Sequence, residues 1–160
     1  MQTPQDPQKY DEIVWEIVWQ IPVGRVFSYG QIASMIPPPE TIDPPSYARI
    51  APRWVGYAMS RAMQSALNVA AGEEGQSIPW HRVINSQGGI SLAADTRSGA
   101  IQRARLLAEG ITFNEQGFIS FQEYGWDGPP LEWREERQLL APRSMKFTNP
   151  PDADSQLRLF

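Results

Sequence analysis

The chain has 160 residues, 41% of them apolar and 11% aromatic, enough for one domain with a buried core. It contains no cysteine and one histidine, which excludes disulfides, thiolate nucleophiles and thiolate-bound zinc and leaves no metal or other cofactor to expect. The net charge of −4 is unevenly spread: between Gly24 and Glu109 eight arginines stand against six acids, whereas acids gather toward both ends.

No apolar run approaches the roughly 18 residues that cross a bilayer. The opening "MQTPQDPQKYDE" lacks the basic and apolar blocks of a secretory signal, so an intracellular protein is expected. Asp6-Pro7 places an N-cap before a proline at the first helical position. Ile13, Val14, Ile17, Val18 and Ile21 then recur at helical spacing, with Trp15 and Trp19 widening the buried stripe. Pro22-Val23-Gly24 ends that helix, and residues 25–27 form a short extended link. Ser28-Tyr29-Gly30-Gln31 has the form of a capping box and predicts a short helix through Met35. Residues 37–46 hold five prolines and are expected as a stiff loop.

A second helix is predicted from near Pro52. It buries Val55, Ala58, Met59, Ala62, Met63 and Ala66 and turns Arg53, Tyr57, Ser60, Arg61 and Gln64 to the other face. A short capped helix, a connection and a longer arginine-bearing helix make helix-turn-helix grammar with a long turn. Gly56 within the second helix costs about 1 kcal/mol against alanine, which implies the close approach of another backbone. Residues 72–77 read as a polar turn, 85–89 as another, and 90–92 as extended. Ser98-Gly99 opens a helix through Glu109 with Gly110 as its stop. Residues 111–121 read as a hairpin turning at 114–117. Residues 129–160, "PPLEWREERQLLAPRSMKFTNPPDADSQLRLF", are expected as a weakly ordered extension of a domain over residues 1–128, apart from a short helix between 131 and 140.

Residues 78–85, "IPWHRVIN", hold the lone histidine. His81 reads either as a structural histidine or as a general base. A base needs a group to activate, and neither the Trp80 indole nor Ser77 or Ser86 belongs to a recognisable nucleophile pattern. Trp80 reads as core or as a flat surface for a planar ligand such as a nucleobase. Arg53, Tyr57, Ser60, Arg61 and Gln64 on one helix face suit phosphate contact, and Tyr29 suits core or the DNA backbone.

"IPVGRVFSYGQIA", "PRWVGYAM", "IPWHRVINSQGGIS" and "LLAEGI", in this order over residues 21–111, resemble the DNA-binding domain of the O6-alkylguanine-DNA alkyltransferases. Those enzymes carry their alkyl-accepting cysteine between Pro and His of the third motif, where Trp80 stands in this chain. The chain therefore resembles the non-transferring, alkyltransferase-like branch. The resemblance implies a mainly α fold with small β elements, a winged helix-turn-helix, and no enzymatic activity. It implies that Tyr29 presses on the phosphate 3′ to the target and that Arg53 enters the stack through the minor groove. Trp80 would line the pocket for the flipped O6-alkylguanine. Trp54, Gly56, Tyr57, Ser60 and Arg82 complete the residues it assigns to DNA or lesion. Pro79, His81, Val83, Asn85 and Glu109 are assigned to supporting the pocket. The partners it implies are double-stranded DNA with O6-alkylguanine lesions and nucleotide excision repair proteins, engaged by a monomer. Ala62 occupies the place of the asparagine that follows the finger arginine in the transferases. A winged-helix regulator without lesion specificity and a base hydrolase using His81 and Glu109 are the alternative readings.

Overall fold

A computed structural model of the chain describes residues 4, 6–68 and 78–146. The polar turn expected at 72–77, with Ser77, and the final residues 147–160 of the extension lie outside the described residues. Helix α1 (Pro7–Trp19) starts where the Asp6 side chain accepts from the Lys9 N–H, with proline at its head. Its Val14, Ile17 and Val18 are fully buried. Trp15 packs at the core and donates its indole N–H to Ala58 O at 2.9 Å, whereas Trp19 is half exposed.

Strand β1 (Phe27–Ser28) leads directly into helix α2 (Tyr29–Met35). The capping box is complete: Ser28 Oγ accepts from the Gln31 N–H at 3.1 Å, and Gln31 Oε1 accepts from the Ser28 N–H at 2.9 Å. Helix α3 (Pro44–Leu67) then starts eight residues before the expected Pro52. Asp43 caps it, accepting from the Ser46 N–H at 3.0 Å, with Pro44 at its head. This is the grammar of Asp6-Pro7 repeated, so residues 44–46 of the expected proline loop belong to the helix. Pro52 sits inside it. Buried Tyr47 and Ala51 hold the turn before the proline and Trp54 and Val55 the turn after it, so packing outweighs the missing N–H.

A 3-10 turn (Trp80–Arg82) feeds strand β2 (Val83–Ile84), which pairs in parallel with β1, Phe27 opposite Val83 and Ser28 opposite Ile84. Helix α4 (Arg97–Ala108) is capped by Thr96 and stopped by Glu109 and Gly110, the latter at φ +88. The expected hairpin over 111–121 is replaced by a turn. Asn114 Oδ1 accepts from Gln116 and Phe118, and the Asn114 N–H bonds Phe118 O. Side-chain satisfaction of those N–H groups leaves no ladder among the described residues there. The Ile119 N–H instead bonds Gly88 O at 2.7 Å, tying this turn to the one at 85–89 as a wing.

Helices α5 (Phe121–Tyr124) and α6 (Leu131–Glu136) follow. Residues 129–146, expected as weakly ordered beyond a short helix, are seated on the body. The Leu140 N–H bonds Met35 O at 2.7 Å, Met145 is 8% exposed, and Trp133 and Leu139 pack on the main core. Apolar residues spaced through a polar segment supply these anchors. The molecule is mostly helical with a small sheet, and its main core lies between α1, α2 and α3.

Candidate functional site

The pocket-forming motif begins with a backbone device. Pro79 has φ −74 and ψ 64, and the Trp80 N–H bonds Ile78 O at 2.7 Å, an inverse γ-turn centred on the proline. The next three residues wind into the 3-10 turn, so consecutive side chains diverge. Trp80 reaches a cavity of about 340 Å³, while His81 and Arg82 turn to an ionic cluster behind it.

The cavity lies between α2 and α3, with residues 91 and 92 and α4 closing it. Tyr29, Arg53, Gly56, Tyr57, Ser60 and Trp80, all assigned from sequence to DNA or lesion, line it together. Tyr29 comes from the first turn of α2 and is hydrogen-bonded to Ser91. Burial pushes its hydroxyl above the ordinary tyrosine value, against that bond, so it stays protonated. Arg53 is exposed at the rim and has no ion-pair partner among the described residues. A Cβ built on Gly56 would meet nothing within 4 Å. Among the described residues no backbone outside its own helix approaches that glycine, contrary to the expectation, and Gly56 lines the cavity. Trp80 is 3% exposed, with the Arg105 guanidinium 5.4 Å from its ring centre.

Two of the assigned DNA contacts are placed elsewhere. Trp54 is 2% exposed and packs edge-on against Tyr10 and Tyr47 at 5.4 and 5.8 Å. It lies one residue from the cavity-lining Arg53, and the 100° step of the helix turns it into the core. Arg82 binds Glu109 through Nε and Nη2 and donates Nη1 to Ile21 O at 2.8 Å, so it braces the loop. Arg61, expected on the outward face, makes a two-pronged ion pair with Asp11 of α1 at 2.5 and 2.8 Å. It stitches two helices.

Glu109 is the hub of the ionic cluster. It receives Arg82 at 2.9 Å, His81 Nε2 at 2.5 Å and the Gly24 N–H at 2.9 Å. Burial alone would raise its carboxyl, but Arg82, Gly24 and His81 together hold it below the usual glutamate value. Burial pushes the His81 imidazole below its usual value, against the upward pull of Glu109, and Arg82 and Arg105 add to the depression. Neutral His81 therefore donates from Nε2 to the carboxylate. Its Nδ1 has no partner among the described residues and is buried, as is the Trp80 indole nitrogen.

Val83 is buried in the parallel pair with Phe27. Asn85 accepts from the Gln87 and Gly89 N–H groups at 3.0 and 2.9 Å, fixing the turn that leads back to Ser91. Sequence reasoning missed Ser91, Leu92, Met59, Met63 and Gln102 as cavity residues. Gln102 donates to His81 O and Val83 O at 3.2 and 3.0 Å. It lies seven residues before Glu109 on α4, two turns along one face, a spacing that could have revealed it. Trp126 packs on Phe27 at 4.8 Å and lines a separate depression with Arg143 and Lys146.

Residues 9–111 match the family model described as 6-O-methylguanine DNA methyltransferase, DNA binding domain. The DNA base-flipping protein of Escherichia coli (strain K12) is 35% identical over 118 residues, 74% of this chain and 74% of that relative. A DNA base-flipping protein of Vibrio parahaemolyticus is 38% identical over 113 residues, 71% of this chain and 91% of the relative. Alkyltransferase-like protein 1 of Schizosaccharomyces pombe is 33% identical over 121 residues, 76% of this chain and 91% of the relative. The crystal structure of S. pombe ATL in complex with DNA is similar with a TM-score of 0.50 and 31% identity, over 81% of this chain and 100% of that one. The motifs, the winged helix-turn-helix and these relatives agree: the chain is an alkyltransferase-like member of the family defined by the DNA-binding domain of 6-O-methylguanine DNA methyltransferase.

Proposed function

We propose that the protein binds double-stranded DNA containing O6-alkylguanine through the minor groove, as a monomer, and rotates the damaged nucleotide into the cavity beside Trp80. It transfers no alkyl group and presents the bound lesion to nucleotide excision repair. The observation that carries this reading is the convergence of Tyr29, Arg53, Gly56, Tyr57 and Ser60 on one cavity with Trp80, the residue standing where the transferases hold their cysteine.

The physical chemistry is consistent. Extruding a base costs a few kcal/mol, and stacking on an aromatic wall returns about 1 to 3 kcal/mol. Arg53 at the rim supplies the side chain that fills the stack, and Tyr29 the group that presses on the backbone. The cavity volume of about 340 Å³ lies within the range of small-ligand sites. Alkylation at O6 weakens pairing, so the damaged base is the cheaper one to flip. The hydrolase alternative is disfavoured because neither His81 nor Glu109 lines the cavity, and Glu109 already accepts from three groups.

The deciding experiment compares binding to two duplexes differing only in one O6-methylguanine, at fixed salt, with the lesion analysed afterwards. Preference with the lesion intact is the expected result. Equal affinity would point to a DNA-binding module without lesion recognition, and loss of the methyl group to an enzyme. The repair link is tested separately, by whether the protein stimulates incision of the alkylated duplex by nucleotide excision repair nucleases.

A further inference from the structure

The matched family domain ends at residue 111, yet the chain continues and returns to α2 as a strap over residues 137–146. Three backbone bonds lock the strap there. The Leu140 N–H bonds Met35 O, the Arg143 N–H bonds Ser34 Oγ at 2.9 Å, and Gln31 Nε2 donates to Arg143 O at 2.9 Å. Met145, buried beyond the last of them, closes the strap on a smaller apolar cluster of Val26, Ile84, Leu106, Ile111, Ile119 and Phe121. Arg143 is thus held by its backbone on both sides, while its side chain is exposed.

That side chain lies across Gly30. A Cβ at Gly30 would come within 2.4 Å of a guanidinium nitrogen, so the contact depends on glycine. Gly30 follows Tyr29, which lines the cavity, and consecutive Cα atoms are about 3.8 Å apart. The guanidinium therefore sits beside the first turn of α2, over the residue that follows Tyr29, and lines the neighbouring depression with Gln31 and Trp126 and not the cavity itself. It has no carboxylate partner among the described residues, whereas Arg61, Arg82 and Arg137 are all ion-paired. An exposed guanidinium on an anchored backbone, without a carboxylate partner, is suited to a phosphate.

We propose that the C-terminal strap delivers Arg143 to the DNA face as a phosphate-contacting residue flanking Tyr29, extending the interface beyond the family's own domain. This rests on the DNA-binding reading above. The contact positions the duplex and carries no lesion information, so it acts equally on damaged and undamaged DNA.

The test measures affinity of the full chain for the O6-methylguanine and unmodified duplexes between about 50 and 200 mM salt. Arg143→Gln is expected to weaken both several-fold, leave their ratio unchanged and reduce the slope of log affinity against log salt by about one. Arg143→Lys is expected to restore the slope, with the thermal midpoints of both variants equal to that of the unaltered chain. An unchanged slope in Arg143→Gln overturns the proposal, as does a loss that Arg143→Lys fails to rescue, which marks packing alone. If the unaltered chain shows no lesion preference but Arg143→Gln still flattens the slope, the lesion reading fails and the strap contact stands. If lesion preference is present and the slope is insensitive to Arg143, the strap contact fails alone.

Discussion

Two faces of one short motif behave differently. Trp80 looks into a cavity whose rim carries Arg53, without an ion-pair partner among the described residues, while His81 and Arg82, its immediate neighbours, are bound into a buried ionic cluster. The residues that look most reactive in the sequence are thus tied together through Glu109, and the chemically inert tryptophan lines the cavity. An inverse γ-turn and one 3-10 turn are enough to separate the two roles.

On this division, the rear cluster should govern stability and the front should govern binding. Glu109→Ala removes the acceptor from Arg82 and His81, whose side chains are 13% and 9% exposed. It should cost about 3 to 5 kcal/mol in urea unfolding, because a buried guanidinium is left unpaired. At the front, Arg53→Ala should lower affinity for the alkylated duplex by about 10- to 100-fold, or about 1.4 to 2.7 kcal/mol, with an unchanged unfolding midpoint. A comparable loss of stability in Arg53→Ala would erase the distinction.

pH probes the rear cluster more gently. The folded His81 value lies below 6.5, so the unfolded chain binds its proton first and stability falls as pH drops through about 6.5. The Glu109 value lies below 4.5, so its contribution is present above that pH and is lost as pH falls through the depressed value. Thermal midpoints recorded from pH 8 to 4 should decline in that order, and His81→Asn should remove the first decline. The smallest effect sharpens the comparison most. Gly56→Ala should stabilise α3 by about 0.4 to 1 kcal/mol, because a Cβ there meets nothing. The same methyl group enters the cavity and should weaken lesion binding several-fold. Stability and affinity moving in opposite directions would show that this glycine serves the site and not the fold.

Local chemistry carried much of the fold. The Asp6 cap and the Ser28–Gln31 box follow from side chains satisfying backbone groups within a few residues, and Gly110 ends α4 as expected, but α4 starts at Arg97 under a Thr96 cap and not at Ser98-Gly99. The start of α3 was misread because five prolines outweighed the cap at Asp43, although Asp43-Pro44 repeats the signal used at Asp6-Pro7. The turn at Asn114 was misread because alternating apolar residues suggest a ladder even where a side chain takes over the N–H groups. At the site, the motif series located six of the eight assigned DNA contacts on the cavity wall. Trp54 went elsewhere because adjacent α-helical residues point about 100° apart, and Arg82 because the 3-10 turn rotates successive side chains by about 120°, which a motif written in one line does not convey. Gln102 and Ser91 arrive from other elements, and that convergence is a property of packing.

The parallel pairing of Phe27–Ser28 with Val83–Ile84 has a kinetic consequence. These partners are 56 positions apart in the chain, and the pairing cannot form through a tight turn. The α2–α3 pair can assemble through nearby contacts, but the wall bearing Trp80 joins only after that long closure. The pocket should therefore be among the last parts of the molecule to fold and should open and close as one unit. Amide exchange at Ile84 would then report on the integrity of the whole recognition site.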